Sequence, residues 1–236
     1  MAQSFLAFYV AVPSVTAQEQ ALPPLDAEVA AEFHAIGRLG YAGYRTKQSC
    51  TGTLIAPDLI MTAAHCVSGT GRSENVFIAG WSRGNYIASR KSKLEIRHPD
   101  YSEHDTQRVK NDVALVVLNG PIEDVAPIPL GEVKEDALTD TDVALIGYHR
   151  KTPHMLSGDF NCPVTFSGME LMHVGCPVTK GNSGGPILRS TEHGVWEVVG
   201  VVSSQNGDEA VAVKLPDWLR REVAAHLQTN QKHRSK

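Results

Sequence analysis

The sequence predicts an all-β protein closed by one C-terminal helix. Short apolar segments separated by glycine- and proline-containing turns recur along most of the 236 residues, which is strand spacing. Only the last stretch repeats its apolar residues at helical spacing. All-β units of this length fold as single domains, so one compact domain accounts for the chain.

In the first half, Arg38 to Tyr44, Cys50 to Ile55, Leu59 to Ala63 and Val76 to Trp81 read as strands. Gly69-Thr70-Gly71 and Gly80 to Asn85 punctuate them as loops. Ala88 to Arg97 and Val113 to Leu118 follow, with Asp112 at the start of the latter. Pro121 to Pro129 is proline-spaced and keeps neither period, so it reads as a connector. The second half contains Asp142 to Tyr148, a short segment near Pro163 to Phe166, then Pro186 to Arg189, Val195 to Ser203 and Ala210 to Leu215. Pro216 or Asp217 starts the helix, expected to run to Leu227. Its stripe of Trp218, Leu219, Val223 and Leu227 is expected to pack on the second half.

Hydrophobic residues make up 42% of the chain and charged residues 20%, with a formal net charge of -4. That composition is ordinary for a water-soluble globular protein and leaves no nucleic-acid footprint. The basic tail from Lys232 to Lys236 reads as a solvated end. No Lys or Arg precedes Arg38, and the apolar run Phe5 to Val12 leads through Pro13 into Val15-Thr16-Ala17, which suits cleavage before Gln18. Residues 1–17 therefore read as an export signal without the usual positive n-region, and 18–35 as a pro-segment. Eight apolar residues are too few to span a bilayer, which needs about 20, so no stable membrane association is expected. The four cysteines form two local pairs, Cys50 with Cys66 and Cys162 with Cys176, an even count that suits disulfides in an exported chain.

Three words carry chemistry: Thr62-Ala63-Ala64-His65-Cys66, Asn111-Asp112-Val113-Ala114-Leu115 and Gly181-Asn182-Ser183-Gly184-Gly185-Pro186. A serine hydroxyl is a poor nucleophile at neutral pH; it needs a base to take its proton and a third group to orient that base. His65, Asp112 and Ser183 offer those three types. The glycine-flanked serine would also fit an α/β-hydrolase elbow, but there the acid and histidine follow the serine, and only His193, His226 and His233 follow Ser183, none in a recognisable motif.

These words and their order resemble the trypsin/chymotrypsin-like family of double β-barrel peptidases, from about Ile36 to the C-terminal helix. The resemblance implies two orthogonal six-stranded β-barrels, approximately residues 36–120 and 130–236, with an active-site cleft between them. It implies catalysis by His65, Asp112 and Ser183 through an acyl-enzyme, an oxyanion hole from the backbone N–H groups of Gly181 and Ser183, and substrate binding along Ser203, Ser204 and Gln205. Cys50 and Cys66 match a family disulfide beside the histidine, worth about 3 kcal/mol by loop closure. Cys162 and Cys176 match a spacing of bacterial members, with Cys162, His173 and Cys176 as zinc ligands the alternative. The expected protein is a secreted or periplasmic monomeric serine endopeptidase acting on polypeptides, with no metal or organic cofactor. An HtrA-like protease and a catalytically silent homologue used as a binding module are the rivals.

Asn182 departs from the family's usual Asp, whose carboxylate pairs with the N-terminal amine released by activation. Gly-Asn-Ser-Gly is instead familiar from glutamyl-endopeptidase and HtrA-type branches. Asn182 is expected to hold its loop by hydrogen bonds, so that activity needs no free amine at Ile36. Val202 stands where glutamyl-specific relatives place a histidine and no carboxylate can be put at the pocket base, so neither acidic nor basic specificity is legible. Asp208 and Glu209 read as exposed loop charges.

Overall fold

A computed structural model describes residues 21–41, 49–67, 75–132, 138 and 141–234. The expected export signal, the loop at Gly69-Thr70-Gly71 and the end of the first expected strand lie outside the described residues.

Among the described residues, twelve strands form two closed six-stranded antiparallel barrels. The first comprises β1 (Ile36–Gly40), β2 (Cys50–Ala56), β3 (Leu59–Thr62), β4 (Val76–Ala79), β5 (Ala88–Arg97) and β6 (Ala114–Leu118), in the order β1-β2-β3-β6-β5-β4. The second comprises β7 (Asp142–Gly147), β8 (Ser157–Ser167), β9 (Leu171–Val174), β10 (Pro186–Ser190), β11 (Trp196–Asn206) and β12 (Glu209–Lys214), in the order β10-β11-β12-β9-β8-β7. Closure removes the unpaired edges that an open sheet of short strands would expose. Leu54, Ile60, Met61, Phe77, Ile78 and Leu115 are buried in a core that covers both faces of the first barrel's strands, and Val143, Leu145, Val164, Met172, Ile187 and Val199 form a second core in the second barrel.

Strand bounds agree with the sequence expectation to within a few residues, except in the hairpin of β8 and β9. β8 is eleven residues long and begins well before Pro163, a start that the strand-poor Gly158, Asp159 and Asn161 hide in the sequence. β9 is only four residues, Leu171–Val174, too short for an alternating period. The C-terminal helix, α3 (Asp217–Arg234), extends past Leu227. It also packs where the sequence did not put it: its side-chain bonds run to the first barrel. His226 and Asn230 both bond the carboxylate of Asp58, in the β2–β3 turn, at 2.8 and 3.1 Å, and Trp218 lies edge-on to His98 after β5. Arg220 donates to the carbonyl of Gly131 in the connector. The polar end of α3 is thus held by the turn it covers.

Residues 21–35 strap the two barrels together. Gly158 N–H donates to the Pro23 carbonyl and Leu25 N–H to that of Leu156, both at 2.9 Å, so the strap runs along β8. Leu22 enters the core of the second barrel. After the short helix α1 (Ala27–Glu32), Phe33 is 1% exposed and packs against Phe160 and Trp196, with ring centroids 5.7 and 5.9 Å away. Ile36 then enters β1, fully buried, opposite Thr53, its N–H donating to the Phe33 carbonyl. A chain beginning at Ile36 would lose both anchors. Phe33→Ala is expected to lower stability by about 3–5 kcal/mol, the usual cost of deleting a buried aromatic ring, read as a lower urea midpoint at unchanged slope.

His149 adds a pH dependence to that strap. Its Nε2 bonds the Leu22 carbonyl at 3.0 Å, while burial pushes its pKa below the ordinary 6.5, with the Leu22 bond opposing and Lys151 adding to the shift. Below about pH 6.5 the unfolded chain takes up a proton that the folded protein refuses, so stability is full above that value and falls as pH drops. Urea midpoints at pH 8, 6 and 5 are expected to decline with a steeper slope in the parent than in His149→Gln.

Candidate active site

Asp112 is held between a 3₁₀ turn, Arg108–Asn111, and the start of β6. It is 3% exposed, so its carboxylate must find donors inside the protein. Oδ1 accepts the backbone N–H of His65 at 2.9 Å. Oδ2 accepts from His65 Nδ1 at 2.7 Å and from the Ser203 hydroxyl at 2.5 Å. A carboxylate on Nδ1 selects the tautomer with its proton there and leaves Nε2 as the bare, basic nitrogen. His65 sits on α2 (Ala64–Val67), its side chain 37% exposed, and lines the cleft.

The Cys50–Cys66 disulfide joins the start of β2 to the residue after His65. Cys162 and Cys176 form a second disulfide. Their sulfurs are bonded to each other, and His173 Nδ1 bonds Glu209 at 3.3 Å instead, so the zinc alternative falls away.

Ser183 lies in the loop between β9 and β10, where every peptide plane from Val178 to Gly185 is oriented by a bond. Arg150 N–H donates to the Lys180 carbonyl, Asn182 N–H to Thr179 O, Gly184 N–H to Val202 O and Gly185 N–H to Asn182 O. The Gly181 carbonyl accepts the Thr51 hydroxyl at 2.8 Å, and the Ser183 carbonyl accepts Thr51 N–H at 2.9 Å. In a trans peptide the N–H points opposite to the C=O of the preceding residue, so the Gly181 N–H points away from Arg150, which holds the Lys180 carbonyl, and the Ser183 N–H away from Gly185, which holds the Asn182 carbonyl. Neither donates to a described residue. Gly181 has φ +110° and Gly184 φ +79°, backbone that only glycine adopts without strain; a Cβ on Gly184 would lie 2.1 Å from Thr62 Oγ1.

Asn182 is 1% exposed, and its Oδ1 accepts Thr179 N–H at 2.9 Å. The neutral amide thus holds the loop through a hydrogen bond, as its sequence suggested. Its Nδ2 is buried beside Gly147 with no partner among the described residues.

His65, Asp112, Ser203 and Ser204 line one cavity of the cleft, and Ser183, Ser204 and Gln205 line an adjoining one of about 330 Å³. The Ser183 hydroxyl and His65 are not hydrogen-bonded to one another; such bonds are commonly long in unliganded sites. Of the three expected substrate contacts, Ser203 turns its hydroxyl onto Asp112, while Ser204 and Gln205 face the second cavity. β10 pairs with β11 only as far as Val201, so on that side Ser203 to Asn206 is without a strand partner among the described residues. Val178 and Val202 give this cavity apolar walls, and Arg150 and Lys180 place two exposed cations on it. The sequence reading missed both cations, since Arg150 lies 30 positions from Lys180 and only the loop's fold joins them.

Comparison with known proteins agrees with this geometry. The trypsin family model matches residues 31–217. A phenoloxidase-activating enzyme 1 of Spodoptera litura is 26% identical over 78% of this chain, which spans 62% of that enzyme's length. A trypsin-like protease of Streptomyces glaucescens is 26% identical over 79% of this chain and 78% of its own. A solved structure of a Glu endopeptidase in complex with MPD superposes with a TM-score of 0.71 over 87% of this chain and 96% of that one, at 21% identity, a likeness of fold. Because the family match takes in both barrels and all the residues described in this cleft, the chain belongs to the trypsin family.

Proposed function

We propose that the chain is a serine endopeptidase acting through a Ser-His-Asp triad. The observation that carries the reading is the Asp112 carboxylate, saturated by His65 and Ser203, which leaves His65 Nε2 basic in the cleft that Ser183 also lines. In the proposed reaction His65 Nε2 takes the Ser183 proton as the hydroxyl oxygen attacks a peptide carbonyl. The tetrahedral oxyanion is held by the N–H groups of Gly181 and Ser183. His65 then gives the proton to the leaving amine, and a water, deprotonated by the same nitrogen, hydrolyses the acyl-enzyme. Asp112 orients the imidazole and stabilises its protonated form without taking the proton. The substrate backbone would add to the free edge of β11. Two disulfides support an oxidising, exported setting, and no described helix is long and apolar enough to cross a membrane.

Cleavage-site mapping of a peptide library by mass spectrometry tests this. Cleavage by the parent that is lost in Ser183→Ala, by about 10⁶-fold in kcat, is the expected outcome; a library left intact by both would favour the silent binding module. Asp112→Asn is expected to lower kcat by about 10⁴-fold, because an amide no longer selects the required tautomer.

The same library reads the pocket. The cavity beside Ser183 carries Arg150 and Lys180 and no carboxylate, and neither cation pairs with a described residue. Peptides with Glu or Asp before the scissile bond are therefore expected to exceed those with Lys or Arg by about 10-fold in kcat/KM, a modest ratio because both cations are exposed. Raising salt should shrink the ratio, and Arg150→Gln with Lys180→Gln should abolish it.

A further inference from the structure

We infer that Thr51 is a positioning residue for the proposed peptidase reaction, one that orients the Gly181–Asn182 and Ser183–Gly184 peptide planes from the opposite barrel. The inference rests on the peptidase reading above. Thr51 belongs to β2 of the first barrel and is fully buried. Its N–H donates to the Ser183 carbonyl at 2.9 Å, and its hydroxyl donates to the Gly181 carbonyl at 2.8 Å. The same hydroxyl accepts Tyr148 N–H at 2.9 Å, while the Thr51 carbonyl accepts the Thr62 hydroxyl at 2.8 Å. One oxygen thus ties the end of β7, the nucleophile loop and β2 together, and Thr62 braces it from behind.

The geometry gives these bonds a consequence beyond packing. The peptide between Gly181 and Asn182 follows the one that carries the Gly181 N–H, and the peptide between Ser183 and Gly184 follows the one that carries the Ser183 N–H. Gly181 stands at φ +110°, where glycine is free to turn over. The plane that carries the Gly181 N–H is held by Arg150 N–H on the Lys180 carbonyl, and Thr51 pins the plane that follows it, so the rotation at Gly181 between the two is fixed from both ends. Asn182 supplies a second restraint through Thr179. In this family the usual restraint is an ion pair with the residue before the serine. Here that residue is neutral, and a hydroxyl from the other barrel takes part of the load. Cys50, next to Thr51, is bonded to Cys66 beside His65, so two successive residues of β2 brace the base on one side and the peptides that follow the proposed oxyanion donors on the other.

Thr51→Val keeps the shape and the backbone N–H but removes the hydroxyl, leaving the Gly181 carbonyl and Tyr148 N–H without it. Thr51→Ser keeps the hydroxyl. Thr51→Val is expected to lower kcat about 10- to 100-fold with KM within about twofold, the size of shift that two orphaned buried groups impose on the competent loop. The inhibition constant of a peptidyl trifluoromethyl ketone, whose adduct carries an oxyanion, should rise by the factor that kcat/KM falls. Thr51→Ser should recover activity to within about threefold, since the hydroxyl bonds return. Amide hydrogen exchange at Tyr148 should speed up in Thr51→Val and stay slow in Thr51→Ser, whether or not the protein is active. Unchanged kcat in Thr51→Val, a loss confined to KM, or a Ser variant no better than Val would overturn the inference. If the parent fails to cleave, the peptidase reading fails separately, and unchanged Tyr148 exchange in Thr51→Val would then sink the role of Thr51 on its own.

Discussion

The constraint on which this site depends is the burial of the Asp112 carboxylate. A charge at 3% exposure is tolerated only where its oxygens are matched by donors, because losing one partner leaves the charge uncompensated. Two of those donors come from His65 on the first barrel and the third from Ser203 on β11 of the second. Docking of the barrels and orientation of the imidazole are therefore a single event. The contacts around it reinforce the same seam: the Tyr148 hydroxyl donates to the Trp81 carbonyl at 2.8 Å across it, and Thr51 reaches the Ser183 loop from β2. A polar seam of this kind fixes the two halves in one register, whereas apolar packing alone would tolerate small slides.

Much of this was legible in the sequence, for a physical reason. Strands that close a barrel must bury one face, and their turns must accept glycine or proline, so both signals survive in Ala88 to Arg97 and Asp142 to Tyr148 almost to the residue. The signal fails where local propensity and tertiary role disagree. β8 carries Gly158, Asp159, Asn161 and Pro163 and is a strand because neighbours on both sides, and the strap at Pro24, pair with it. Composition could not announce that. The helix was visible as a stripe, but which barrel receives it depends on Asp58, a turn residue whose partners His226 and Asn230 lie more than 160 positions away.

The site divides in the same manner. His65, Asp112 and Ser183 stand in words whose neighbours are constrained too: Gly181 and Gly184 by positive φ, Cys66 by a disulfide. Such positions advertise themselves. Thr51, Arg150 and Lys180 do not, because a threonine in a strand and cations near loops are common, and only folding brings Arg150 to the Lys180 carbonyl or the Thr51 hydroxyl to Gly181. Ser203 was legible as part of a strand edge, but not the bond of its hydroxyl to Asp112, because only folding brings that hydroxyl to the buried carboxylate.

A neutral Asn182 changes how the loop around Ser183 can be held. An ion pair with a chain terminus concentrates the restraint in one strong contact that appears when that terminus is released and depends on the amine staying protonated. Here the restraint is spread over neutral bonds: Thr179 N–H on Asn182 Oδ1, Arg150 N–H on the Lys180 carbonyl, and Thr51 on the carbonyls of Gly181 and Ser183. None of them involves a titrating group or a free terminus. Meanwhile Ile36, the position loosely like a released terminus, is fully buried in β1 with its N–H bonded to Phe33. Upstream of it, the strap carries Leu22 into the second barrel and Phe33 against Phe160 and Trp196. A loop ordered by its own scaffold supports the expectation that activity needs no end created by cleavage at Ile36, and a fold with two large apolar anchors in residues 21–35 would be weakened by making that end.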